Sequence, residues 1–348
     1  MEPSAALAYL KLDLKHSPMR DSSTLIPLLY ERYGKDAVES QLGALARHGD
    51  VVDDPELWLK EALEHRFKFI AIEQVNACPC GSARTRPRGK FLYGNLLGMR
   101  ECEQCGLIFV SPRLTADAMG SVFTDHYFDY NDLEWWGFRR IEIFADVMRL
   151  LESRGVQRVF DVGAAYGHFV KYAKEKGLTA AGSDISPKAV EVGRDRLGVE
   201  LHAGPLTQLA LPAESVDAVV SLDAFYYVAD PRRELDAMRR IVRPGGFVVL
   251  RLRNGFWSRL RARAGRSQAI GRPVLPAPHL WGFTPKSISR LLEVTGWIVE
   301  DCEAAAYSRS VFRPFQSVAT GLNRSARRLW KRAPILTRSF NVVARRSD

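Results

Sequence analysis

Between residues 156 and 250 the chain alternates short apolar runs with amphipathic stretches at helical spacing. This alternation predicts βαβ units around a parallel sheet, because strands that are covered on both faces read as nearly continuous apolar runs. The predicted strands are Arg158–Val162, Thr179–Ser183, Val216–Leu222 and Phe247–Leu252. The fold class that follows is α/β, with helices on both faces of the sheet.

The pattern outside this region predicts three further parts. An amphipathic helix over residues 132–153 precedes the first strand, and Asp54 and Pro55 begin another helix in an N-terminal extension. We therefore expect four regions: a helical extension (1–72), a cysteine-rich module (73–131), the α/β domain (132–312) and a basic C-terminal tail (313–348).

Composition supports a globular protein. Of 348 residues, 46% are hydrophobic and 26% are charged, which excludes a mainly disordered chain. The N-terminus has neither a basic segment nor a long apolar run, and no uncharged stretch approaches the ~20 residues of a membrane span. We therefore expect a cytoplasmic protein.

The net charge of +10 is concentrated in two segments. Residues 313–348 contain nine Lys or Arg and one acid, and residues 251–272 contain seven Arg and no acid. The first segment would suit an anionic partner or peripheral contact with the inner membrane surface, whereas a solvated terminal helix or disordered tail is the favoured alternative. The second suits either a lid that meets phosphates or a flexible loop.

Four of the five cysteines form two close pairs, each followed by glycine. Such pairs are able to converge on one tetrahedral Zn²⁺, and four thiolates would close its coordination sphere. A metal held in this way is structural, whereas the alternative is four incidental buried thiols. The predicted ligands are Cys78, Cys80, Cys102 and Cys105.

The segment 158–177 contains a turn of small residues between a strand and a helix. Small residues there let a ligand approach the backbone, and exposed amides at a helix start attract polar groups. Asp184 closes the next strand, a position from which a carboxylate holds the two hydroxyls of a ribose.

These motifs, together with Asp230-Pro231 and Pro244-Gly245-Gly246, resemble those of class I S-adenosylmethionine-dependent methyltransferases over residues 133–303. The resemblance implies a seven-stranded Rossmann-like sheet. A nicotinamide-type dinucleotide domain is the competing interpretation, but its last glycine lies one residue further along. The cysteine segment and the following 125–130 resemble the zinc-carrying part of methyltransferases in bacterial sugar and polysaccharide pathways.

The resemblance implies cofactor contacts along the carboxyl edge of the sheet. Asp161 would organise the turn, Gly163 and Gly167 would line the amino-acid part of the cofactor, and Asp184 would hold the ribose. Ile185 and Leu206 would edge the adenine, and the segment from Ser221 to Asp223 would face the transfer site. The implied cofactor residues are Asp161, Gly163, Ala165, Gly167, Asp184, Ile185, Leu206 and Ser221.

Two departures from the family pattern affect the chemistry. Ala165 replaces the middle glycine, and Tyr226-Tyr227 replaces the frequent Glu-His, so a histidine base is not given there. The candidate bases are His279, Tyr226, Tyr227 and Asp223.

The predicted function is methyl transfer to a small-molecule acceptor, a sugar or a polysaccharide or glycolipid precursor. An RNA methyltransferase that grips nucleic acid through its basic segments is one alternative, and nucleic acid is the less favoured partner. A non-catalytic protein that keeps the fold for binding is the other, since the Ala165 and Tyr226-Tyr227 departures permit it.

Overall fold

A computed structural model describes residues 72–90, 98–111, 113–116, 133–257, 260, 279–307, 318, 320–325, 335 and 337–348. The chain divides into two units. The cysteine unit comprises Met1–Val122 and Trp257–Gly282, and the sheet unit comprises Phe123–Phe256 and Phe283–Asp348. The predicted N-terminal extension, the segment 125–130 and most of the arginine-rich segment lie outside the described residues.

The helices and strands are numbered here in chain order. They are β1 (Ile72–Glu73), β2 (Thr85–Lys90), β3 (Gly98–Cys102), β4 (Ile108–Val110), β5 (Arg113–Leu114), α1 (Leu133–Glu152), β6 (Arg158–Val162), α2 (His168–Glu175), β7 (Thr179–Asp184), α3 (Pro187–Leu197), β8 (Leu201–Ala203), β9 (Val216–Leu222), α4 (Pro231–Ile241), β10 (Val242–Arg253), β11 (Trp281–Gly282), α5 (Pro285–Val294), β12 (Trp297–Ala304) and β13 (Ser339–Arg346). Two short 3₁₀ turns cover Leu206–Gln208 and Phe225–Tyr227.

The cysteine unit is built on a four-stranded antiparallel sheet in the order β11-β4-β3-β2. Strand β11 comes from a distant part of the chain, and Trp281 pairs with Phe109. The Trp281 ring packs on Phe109 at 5.7 Å between centroids, and the Arg113 guanidinium lies 5.0 Å from the same ring. The segment around Trp281, which the sequence assigns to the α/β domain, thus completes the sheet of the cysteine unit.

The sheet unit contains a seven-stranded sheet in the order β12-β13-β10-β9-β6-β7-β8. Six of these strands run in the same direction, and β13 is antiparallel to both of its neighbours. This topology confirms the Rossmann-like α/β fold predicted from the sequence. The predicted strands 158–162 and 216–222 match β6 and β9.

Three helices of this unit begin in the same way, with a capping side chain directly before a proline. Ser186 caps α3, Asp230 caps α4 and Thr284 caps α5, each accepting a hydrogen bond from a backbone N–H of the first turn. Proline fits the first helical position because its missing N–H would have no partner there. These local signals start each helix immediately after the loop that leaves a strand.

The largest described core lies between α1, α2 and the face of the sheet. Phe144 and Val147 of α1 pack with Phe169 and Val170 of α2 against buried residues of the central strands, including Val220. Helix α1 is therefore an integral part of the sheet unit. The sequence predicts this helix over residues 132–153, and its described span is Leu133–Glu152.

The sequence places residues 339–346 in a basic tail after the α/β domain. The structure places them inside the sheet, as the strand between β10 and β12. Six consecutive residues of β13, Ser339–Ala344, are buried. The basic segment before it therefore connects β12 to β13. Arg324 in this connection donates to the Ala304 carbonyl at 2.9 Å and pairs with Asp146 and Glu303. Its charge is therefore balanced within the sheet unit.

Among the described residues, no helix is long and apolar enough to cross a membrane.

Candidate functional site

The order of strands changes direction between β6 and β9, at the centre of the seven-stranded sheet. Chain connections leave these two strands toward opposite sides, which opens a crevice at their carboxyl ends. Ligands of open α/β sheets bind at this place. The glycine turn follows β6 and the segment Asp223–Tyr227 follows β9, so both border the crevice.

The turn after β6 is held in an unusual backbone conformation. Gly163 has φ +79°, and a Cβ atom built there would lie 2.3 Å from the Cβ of Ala224. Ala165 has φ +52°, a left-handed conformation that costs an L-residue roughly 1–2 kcal/mol. Gly163 is thus required by the close approach of the segment after β9, and Ala165 adopts the conformation that glycine would take without strain.

Asp161, the fourth residue of β6, is 3% exposed, and its Oδ1 has no hydrogen-bond partner within the described part of the chain. Burial raises the pKa of this carboxyl to about 8, the Asp184 carboxylate adds to the rise, and Arg140 offsets part of it. A buried polar oxygen without a partner costs free energy. This atom is therefore suited to accept a hydrogen bond from a ligand.

The Asp184 carboxylate lies at the end of β7 and is oriented by backbone amides. Its Oδ2 accepts from the Ala165 N–H at 2.8 Å and its Oδ1 accepts from the Ser186 N–H at 2.9 Å, with a further backbone bond from Ile185. Burial raises the pKa of Asp184, and these amides oppose the rise. A carboxylate has about four acceptor sites, so about one remains for a ligand.

Ile185 and Leu206, the residues that the resemblance places beside adenine, differ in environment. Ile185 is an exposed apolar side chain directly after β7, whereas Leu206 is fully buried in its 3₁₀ turn. Glu234 of α4 accepts a hydrogen bond from the Leu206 backbone, and burial together with Asp230 raises the pKa of Glu234 to about 7. The sequence analysis missed Glu234, although its place one turn after Asp230-Pro231 is a usable signal.

Ser221 is buried in β9, and its hydroxyl donates to the Val162 carbonyl at 2.9 Å. The Ser221 side chain thus joins β9 to β6 at the point where both strands meet the crevice. Its contact with the cofactor stays a prediction.

The environments of Asp223 and Tyr226 do not favour proton removal by either side chain. The Asp223 carboxylate, at φ +62°, forms a buried ion pair with Arg251. Burial opposes ionisation, but the charges of Arg251 and neighbouring arginines hold the pKa of Asp223 below its usual range. Burial and the Asp223 charge raise the pKa of Tyr226 well above its usual value. Tyr227 packs edge-on against Tyr226, with ring centroids 4.6 Å apart.

His279 lies in the cysteine unit, two residues before β11, and is buried. The other three candidate bases lie in the sheet unit. The assignment of His279 as a base therefore stays a prediction.

Asp161→Asn is expected to make stability less dependent on pH. Because the pKa of Asp161 is raised in the folded state, the folded protein keeps this proton while the unfolded chain releases it, so stability falls as pH rises from about 4 toward 8. The variant removes this loss and should gain on the order of 3 kcal/mol relative to the wild type between pH 5 and pH 8. Thermal unfolding midpoints measured at each pH report the difference.

Asp195→Asn, at an exposed position of α3, is the matched control and should leave the pH profile unchanged. A pH-independent difference between Asp161→Asn and the wild type would show that Asp161 is ionised at every pH tested.

The four paired cysteines converge in the cysteine unit, and all are buried. The Sγ atoms of Cys78 and Cys105 are 3.6 Å apart, those of Cys80 and Cys102 are 3.7 Å apart, and all four lie within 4.8 Å of one another. Four sulfurs bound tetrahedrally to zinc at about 2.3 Å would be about 3.8 Å apart. The cluster is therefore compatible with one zinc ion.

Glycine turns shape the two cysteine pairs. The Gly81 N–H donates to the Cys78 carbonyl at 2.8 Å and the Gly106 N–H donates to the Cys102 carbonyl at 2.9 Å. Both glycines have positive φ, +95° and +75°. Burial raises the pKa of the Cys80 thiol to about 11, whereas the hydrogen bond from Cys78 lowers the pKa of Cys105 to about 6.

Residues 160–250 match the profile of a protein family described as "Methyltransferase domain". An uncharacterized methyltransferase of Mycobacterium tuberculosis is 30% identical over 119 residues, which are 34% of this chain and 46% of that protein. A ubiquinone biosynthesis O-methyltransferase of Dinoroseobacter shibae is 25% identical over 146 residues, 40% of this chain and 59% of that one. The chain spans about half the length of the curated relatives it matches.

Among solved structures, an S-adenosylmethionine-dependent methyltransferase of Thermotoga maritima aligns with a TM-score of 0.42 at 17% identity, over 62% of this chain and 92% of that one. A methyltransferase from Mesorhizobium loti aligns with a TM-score of 0.40 at 20% identity, over 57% of this chain and 96% of that one. The match over residues 160–250 confirms the resemblance to methyltransferases.

Proposed function

We propose that this protein is an S-adenosylmethionine-dependent methyltransferase with a small-molecule acceptor. The observation that carries this proposal is the crevice where the strand order changes direction. There Asp161 presents a buried oxygen that has no partner among the described residues, and Asp184 keeps one acceptor site for a ligand. Both residues lie within the segment that matches methyltransferase domains. The two carboxyl groups suit two donors of the cofactor, its ammonium group and its ribose hydroxyls.

The residues of the crevice fit this cofactor. Asp161 would accept from the ammonium group near the turn of Gly163, and Asp184 would hold the ribose. Ile185 offers an exposed apolar surface to adenine, and the Glu234 bond to the Leu206 backbone would keep the facing turn in place. The bound cofactor supplies an electrophilic methyl group on its sulfonium.

Methyl transfer is an in-line displacement, so the chief task of the protein is to align donor and acceptor. The rigid segment Asp223–Tyr227 after β9 would position the acceptor, since its first residue is fixed by Arg251 and its tyrosines are packed together. Proton removal from a hydroxyl acceptor requires a base, and the identity of this base stays a prediction.

We propose a sugar, or a polysaccharide or glycolipid precursor, as the acceptor. The support is the resemblance of the cysteine segment to that of sugar-pathway methyltransferases. We also propose that the cluster of Cys78, Cys80, Cys102 and Cys105 holds one structural zinc ion, supported by its sulfur spacing. Four thiolates leave no position for water, so this zinc would stabilise the fold and take no part in the transfer.

A cytoplasmic location with peripheral contact at the inner membrane surface is also part of the proposal. Its support is the basic connection between β12 and β13, where Val318 and Leu322 lie one helical turn apart and are 61% and 67% exposed. Apolar side chains beside a basic segment suit an anionic lipid surface.

Calorimetry with S-adenosylmethionine, S-adenosylhomocysteine and a nicotinamide dinucleotide tests the cofactor. We expect saturable binding of the two sulfur nucleosides and none of the dinucleotide. No binding of either sulfur nucleoside at millimolar concentration would refute the proposed function. Incubation with cofactor carrying a labelled methyl group and with nucleotide sugars, glycolipids or RNA then identifies the acceptor class.

A further inference from the structure

The charges of three arginines stabilise the ionised form of a single carboxylate near the carboxyl ends of β9 and β10. Arg251 and Arg253 are the last two alternate residues of β10, so their side chains leave the same face of the strand. Arg140 projects from α1 and stacks on the Trp136 ring, 4.3 Å from its centroid. The carboxylate that they share is Asp223.

Arg251 is buried, and both of its terminal nitrogens are bonded within the protein. It is 4% exposed, it pairs with Asp223 through Nη1, and its Nη2 donates to the Ala306 carbonyl at 2.8 Å. Its buried Nε has no hydrogen-bond partner in the described part of the sheet unit. The Arg251–Asp223 pair is neutral, so Asp223 does not balance the other two arginines as well.

Arg253 lies at the open end of the strand. Arg251 is still paired with Leu222 of β9, whereas Arg253 extends beyond β9 and is paired only with Ser339 of β13. Arg253 is exposed and donates a hydrogen bond to the buried phenol oxygen of Tyr226. A guanidinium has five N–H donors, so the bond to Tyr226 leaves most of them for other acceptors.

Among the described residues, the arrangement therefore combines positive charge that no carboxylate balances with an oriented planar donor group. The Tyr226 bond fixes the Arg253 guanidinium, and Arg140 adds charge beside the same carboxylate. Arginine forks bind carboxylates and phosphates through paired hydrogen bonds. An anion placed here would also compensate charge that the described residues leave unbalanced.

We propose that Arg253, supported by Arg251 and Arg140, binds an anionic oxygen group of the methyl acceptor, a phosphate or a carboxylate. The assignment to the acceptor rests on the proposed function, in which the cofactor occupies the side of β6 and β7. The acceptor would then be oriented by its charged group, with its reacting atom held over the segment after β9.

The test is calorimetric titration of the full-length protein with sodium phosphate and, separately, with sodium acetate at constant ionic strength. Each titration is run with and without S-adenosylhomocysteine. The variant is Arg253→Gln, and the matched control is Arg290→Gln, an exposed arginine of α5 that pairs with Glu293. A stronger response to phosphate or to acetate identifies the anionic group.

We expect one anion to bind the wild type and Arg290→Gln equally, and to bind Arg253→Gln at least about tenfold more weakly. Affinity for S-adenosylhomocysteine should be the same in all three proteins. Absence of anion binding, equal binding in all three, or a selective loss of S-adenosylhomocysteine affinity in Arg253→Gln would each overturn the proposal. Failure of S-adenosylhomocysteine to bind the wild type would instead refute the proposed function, and the titrations without it still report on the anion site.

Discussion

Removal of zinc is expected to unfold the cysteine unit. The four buried thiolates hold strands too short to build a large apolar core, and metal binding in such modules supplies folding free energy on the order of 10 kcal/mol. Elemental analysis should find about one zinc per chain. A strong chelator should abolish a separate thermal transition and make the segment 78–110 sensitive to protease, whereas readdition of zinc should restore both.

Two serine variants separate metal binding from the simple loss of a buried thiol. Cys102→Ser removes one of the four ligands and should purify with little zinc. Cys302→Ser makes the same chemical change at a buried cysteine of β12 and should keep its full zinc content. Full zinc occupancy in Cys102→Ser, or a protein without zinc when the metal is supplied during expression, would contradict a four-cysteine site.

Replacement of Asp184 is expected to give the largest loss of cofactor affinity. Asp184→Ala removes the proposed charged hydrogen bond to the ribose, of the kind worth about 1.5–3 kcal/mol, so the dissociation constant of S-adenosylhomocysteine should rise by about tenfold or more. Calorimetry at pH 7.5 measures the change. The same substitution also frees the Ala165 and Ser186 amides, so part of the loss would come from a disordered turn.

The variant Asp184→Asn distinguishes these two causes. Its side-chain oxygen still accepts from one backbone amide, and its thermal stability should stay closer to that of the wild type than that of Asp184→Ala. Asp195→Ala, at an exposed position, controls for the loss of one negative charge. Unchanged affinity in Asp184→Ala would place the ribose contact elsewhere.

Much of the sheet was predictable because its signals are local. The apolar runs that became β6 and β9 were located correctly from sequence, and the small-residue turn and Asp184 follow their strands as expected. The convergence of the cysteine pairs was equally predictable, since short spacing and a following glycine indicate tight turns that bring thiols together.

The electrostatic partners were not predictable in this way. The Arg251–Asp223 pair joins residues 28 positions apart, and Arg253 lies beyond the strand predicted from the sequence, which ends at Leu252. Glu234 acquires its role by reaching the Leu206 backbone from another element. Such contacts arise from the register between strands and the packing of helices, for which hydrophobic periodicity carries no signal.

Local physical preferences within the amino-acid order thus specified the βαβ alternation, the capped helix starts, the glycine turn and the paired thiols. Only packing of distant segments placed β13 inside the sheet and β11 beside β4. A strand is stabilised by pairing with neighbouring strands more than by the preferences of its own residues. Its position therefore depends on which sheet edge is open to it in the folded chain.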